Sequence, residues 1–147
     1  MLFSQDRNDL RQIFFNTWKK HKDGINPDTF QPMENIVLNV IQLHPEYQPF
    51  FDDIENNLNK DFPPEMGETN PFLHLSMHIA IHEQLSINQP QGITGNYKKL
   101  VKTKGDPHEA EHEIMDCLGE MIWKAQRENV APDERIYMNC IRKKIGK

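Results

Sequence analysis

Ten prolines and seven glycines cut this chain into segments of helix length, and the residues between the breaks carry helical spacing. A proline has no amide proton and pushes the residue before it out of the α region, so each one stops a helix or opens the next. Leu10, Ile13, Phe14 and Trp18 line one stripe of a first helix that Ser4 or Asp6 can cap and that Gly24 and Asn26-Pro27 end. A second helix is predicted from Pro32 to His44, stopped by Pro45, and a third, acidic one from about Glu46 to Leu58. The stretch DFPPEMGET (Asp61–Thr69) reads as a loop.

Between Leu73 and Ile81 apolar residues alternate with polar or small ones, the pattern of a half-buried strand. Asn70 as a cap and Pro71 at the first helical position argue the other way, as do Leu, Met and Ala in the run and Glu83 and Gln84 just after it. Wound as a helix, the segment is apolar nearly all round, which marks a buried element. A helix is therefore predicted. QPQGITG (Gln89–Gly95) reads as a turn and Asn96–Thr103 as a short helix. Asp106, Pro107 and Glu109 open a long helix to about Glu128, and Pro132 and Asp133 precede a last one through Tyr137, Cys140 and Ile141. The expected fold is all-α: one domain over residues 1–147, a compact bundle of about five to seven helices.

Charge narrows the function classes. The balance of 17 basic against 22 acidic residues leaves a net charge of −5, which gains nothing from a phosphate backbone, so nucleic acid is not an expected partner. No apolar run reaches the ~20 residues of a bilayer span, so no membrane is expected either. The N-terminus turns charged too early for a signal peptide, and cytoplasm is the default location. Cys117 and Cys140 sit in amphipathic patterns without a CxxC spacing and read as buried free thiols.

The chemistry concentrates in histidine. His74, His78 and His82 repeat every four residues on the fourth predicted helix; His108, His112, Asp116 and Glu120 repeat likewise on the long one. Side chains at that step stack on one face, so one row rich in imidazole and one rich in carboxylate have the inventory of an interhelical metal site. A full di-iron carboxylate pattern is missing, since only Glu109 and His112 form a Glu-x-x-His pair. His44, at the end of its helix, either caps the helix dipole or joins the ligands. No nucleophile elbow, P-loop or dinucleotide fingerprint is present.

His44–Tyr47 (His-Pro-Glu-Tyr), Thr69–His78 (Thr-Asn-Pro-Phe-Leu-His-Leu-Ser-Met-His) and the run His112–Arg127 resemble the bacterial domain-of-unknown-function family 1841 over nearly the whole chain. That resemblance implies no activity, substrate or cofactor. It places emphasis on His44, His74, His78, His112 and Glu120 and leaves His82 outside the set, where the family commonly carries a charged residue.

Two functional readings follow. In one, the chain is a structural or interaction module, with a protein partner or a second copy of itself, and the histidines hydrogen-bond within its core. In the other, His74, His78 and His112, with Asp116 or Glu120 and with His44 as a further candidate, hold zinc, iron or manganese, and an open position on the ion could activate water or dioxygen, as in a metal-dependent enzyme.

Overall fold

The computed structural model describes residues 7–62 and 69–146. Within them the chain is all-α, with no strand. Eight helices follow in order: α1 (Arg7–Lys22), α2 (Pro32–Gln42), α3 (Gln48–Phe51), α4 (Ile54–Asn57), α5 (Pro71–Ile87), α6 (Ile93–Lys104), α7 (Pro107–Glu128) and α8 (Glu134–Ile145). Two are single turns, so the larger elements number six. The expected caps at Ser4 or Asp6, and most of the expected loop after Asp61, lie outside the described residues.

Backbone contacts divide the chain into Met1–Ile79 and Ala80–Lys147, a division that falls inside α5. In the first unit α1 packs on α2 and α3. Phe14, Phe15, Trp18, Val37, Ile41, Phe51, Phe72 and Leu75 are buried in one cluster. Its centre is aromatic: the Phe72 ring lies 5.2–6.4 Å from the rings of Phe14, Phe15, Phe50, Phe51 and Phe62. Arg11, itself buried, lays its guanidinium 4.2 Å over the Phe72 ring and donates Nη1 to the carbonyls of Leu58 and Lys60 at 3.0 and 2.8 Å. A charge this deep is tolerable because the ring face and both carbonyls replace its water. Trp18 Nε1 donates to Asp52 Oδ1 at 2.7 Å, which fastens α1 to the end of α3.

The single acidic helix expected over Glu46–Leu58 is broken into a 3₁₀ turn (Pro45–Tyr47), α3 and α4. Asp53 explains the second break, because its side chain accepts from the amide of Asn56 and starts α4 afresh. α5 is a helix, as its start signals require: Asn70 Oδ1 accepts from the amides of Phe72 and Leu73 at 3.0 and 3.3 Å. Phe72, Leu75, Ser76, His78, Ile79 and Ile81 are all buried, which accounts for the alternating pattern that imitates a strand.

In the second unit α6, α7 and α8 pack on one another in all three pairings, around Ile93, Leu100, Ile114, Leu118, Tyr137 and Ile141. α6 begins earlier than its sequence suggests, at Ile93, because Gly92 takes φ +95° and turns the chain directly into the helix. Tyr137 is fully buried; its hydroxyl donates to Gln84 Oε1 at 2.6 Å, and burial pushes its phenol pKa well up. Lys144 Nζ meets Glu113 at 2.6 Å, and Lys104 stands 3.7 Å from the same carboxylate.

The cysteines correct the sequence reading. Cys117 and Cys140 are joined in a disulfide between α7 and α8, 23 residues apart. Two apolar stripes on two helices show that both residues face inward; which stripe meets which is a tertiary fact. In the chain-entropy picture a loop of that size contributes about 3 kcal/mol.

α7 starts as predicted, with the Asp106 carboxylate accepting from the Glu109 amide at 3.0 Å. Asp106→Ala is expected to cost about 1 kcal/mol, read as a Tm lower by roughly 2–4 °C in calorimetry. Asp106→Asn should recover most of it.

Candidate metal centre

His44 owes its place to Pro45. α2 cannot continue into a proline, so His44 leaves the helix with φ −125° and ψ 73°. Its ring folds back over the last turn, and Nδ1 lies 2.7 Å from the Val40 carbonyl. A carbonyl only accepts, so Nδ1 carries the proton and Nε2 the lone pair. That is the arrangement in which a backbone carbonyl orients an imidazole for a metal. His44 is 1% exposed.

Around it stand rings from the first turns of α5. His78, also 1% exposed, has its ring centroid 4.6 Å from that of His44; His74 lies 5.0 Å from both. Tyr47 stacks on His44 at 5.6 Å and closes the cluster, and burial raises its phenol pKa, aided by Glu46. On the first turns of α7, His108 and His112 are half-buried with ring centroids 4.3 Å apart, the neighbours that an i, i+4 spacing makes on a helix face.

The first unit thus gathers His44, His74 and His78, three of the histidines singled out in the sequence, in one cluster. The second unit pairs His112 with His108. Asp116 and Glu120 are exposed, and Asp116 sits 3.6 Å from Lys144.

The family model for a domain of unknown function, DUF1841, matches residues 6–143. The chain belongs to that family. No curated protein and no solved structure matches it.

In this DUF1841 chain the row that opens with His108 also carries a motif. His108-Glu109-Ala110-Glu111-His112 reads H-E-x-x-H, two histidines one helical turn apart with intervening glutamates. The glutamate next to the first histidine, Glu109, is exposed; the buried one is Glu111. Glu111 Oε1 stands 3.1 Å from His82 Nε2. His82 thus serves as the partner of a buried carboxylate.

The Glu111 hydrogen bond raises the His82 pKa above its ordinary 6.5 and prevails over the opposing effect of burial. A raised histidine pKa stabilises the fold most below the ordinary value and loses that contribution as pH climbs through the raised one. The His82 Cε1 proton, followed by NMR, should titrate above the ordinary histidine range, and Glu111→Gln should bring the midpoint down. An unmoved midpoint would remove Glu111 as the cause.

Proposed function

We propose that this DUF1841 protein binds one divalent transition-metal ion through His44, His74 and His78. The observation that carries the reading is the mutual approach of three imidazole rings, with centroids 4.6–5.0 Å apart. Supporting it, the His44–Val40 hydrogen bond holds the tautomer that keeps the lone pair on Nε2, and His44 and His78 lie where water competes poorly for the ion.

Imidazole ligands favour zinc, iron, copper or nickel over manganese, which prefers oxygen. Three of them on a tetrahedral ion leave a fourth position for water, the arrangement of a catalytic rather than a closed structural site. Asp116 and Glu120 take no part in the proposed shell.

The test is elemental analysis of untagged protein, purified without added metal and then titrated with zinc, iron and copper. One ion per chain, reduced to near zero in His74→Ala/His78→Ala, is the expected outcome. Substoichiometric metal that the double variant leaves unchanged would refute the reading.

The interaction-module reading keeps one observation in its favour. Trp123 is 57% exposed, with the Arg127 guanidinium 4.4 Å over its ring, the kind of aromatic and arginine pair common at protein interfaces. A partner retained in excess chelator and lost in Trp123→Ala would support it.

A further inference from the structure

The disulfide between α7 and α8 is asymmetric. Cys117 is completely buried, whereas Cys140 is half-buried and lines a groove of about 440 Å³ together with Glu120, Ile136, Asn139, Lys143 and Lys144. Cys117 is not among the residues that line it. One sulfur of the pair is therefore approachable through a cleft and the other is screened by core. The lining holds two ammonium groups against one carboxylate. Lys144 is engaged by Glu113 at 2.6 Å, while Lys143 is exposed on the same turn of α8.

We propose that Cys117–Cys140 is an exchangeable disulfide, with Cys140 the sulfur that is attacked and a small anionic thiol of the glutathione class the reductant. The chemistry needs what this cleft offers. The attacking species is a thiolate, which must approach a sulfur from outside and which nearby lysines favour electrostatically. The thiolate attacks Sγ of Cys140 and forms a mixed disulfide there. The Cys117–Cys140 bond breaks, and its electron pair leaves with Cys117 Sγ, which takes a proton from solvent. A second thiolate then attacks the thiol-derived sulfur of the mixed disulfide and releases Cys140, which is protonated in turn. Two small thiols are oxidised to one disulfide, and the protein disulfide is reduced by two electrons. In a reducing compartment a chain of this length seldom keeps a disulfide unless it is catalytic or redox-sensing, and an opening on one sulfur only is the shape such a role takes.

The proposal is independent of the metal reading, and its test requires no metal. Folded native protein is treated with millimolar glutathione, then quenched with N-ethylmaleimide in denaturant, which opens Cys117 to the maleimide, and mapped by peptide mass. The expected product carries glutathione on Cys140 and the maleimide on Cys117. With oxidised glutathione, the thiol of Cys117→Ser should be captured at least about ten-fold faster than that of Cys140→Ser, because burial withholds Cys117 from reagent. Lys143→Glu should lower the rate with glutathione, relative to neutral 2-mercaptoethanol, by roughly five-fold, the effect of reversing one screened charge. Glutathione found first on Cys117, equal capture of the two single thiols, or a bond that opens only in denaturant would each overturn the assignment. A Lys143→Glu ratio that stays unchanged would overturn the preference for an anionic thiol.

Discussion

Metal-stripped protein is expected to gain roughly 10 °C in Tm when zinc is restored, and His44→Ala/His78→Ala should lose that gain. An ion that binds only the folded chain adds stability in proportion to the logarithm of its excess over Kd, about 4 kcal/mol at a thousand-fold excess. For a chain of this size each kcal/mol is worth roughly 2–4 °C. The alanine pair removes two of the three nitrogens, both from residues 1% exposed, and leaves the His44–Val40 and ring contacts unmade as well. Its Tm without metal should therefore already be lower. The informative quantity is the response to zinc: present in the parent, absent in the pair. His74→Ala replaces a half-buried residue, should stay closer to the parent without metal, and should also be unresponsive. A zinc response that survives in both variants would place the ion elsewhere.

Phe72→Ala is expected to be the most costly single truncation in the first unit, at about 3–5 kcal/mol. The ring is 4% exposed and packs against five other phenylalanine rings. Its loss leaves a cavity that rigid neighbours cannot fill, and it strips Arg11 of the aromatic face beneath its charge. Phe72→Leu, which keeps most of the volume, should cost clearly less. Urea unfolding followed by circular dichroism measures both; equal, small losses would mean that the aromatic cluster rearranges around the gap. The carbonyls of Leu58 and Lys60 still hold Arg11 in either variant, so α1 should keep its position until the unit unfolds.

Much of this architecture was legible because its signals are local. Asn70, Asp106 and Asp133 accept from backbone amides at the starts of α5, α7 and α8, and caps of that kind are read from three or four consecutive residues. Where a local signal competed with another, the reading slipped. The acidic stretch after Pro45 has helical composition, yet Asp53 restarts the chain there. QPQGITG contains good turn residues, and still Ile93 is helical once Gly92 supplies a positive φ.

The site divides in the same way. The sequence by itself placed His44 at the end of a helix, stacked His74 on His78, and set His108 one turn from His112, because proline geometry and the 3.6-residue repeat act within a few residues. Tertiary structure alone decided which of those rings meet. It brought His44 against His74 and His78, turned Asp116 and Glu120 to solvent, and joined Cys117 to Cys140. Periodicity fixes the angle of a side chain about its own helix axis. Which helix stands opposite, and at what rotation, depends on how whole apolar faces interlock, and no short window of residues carries that information.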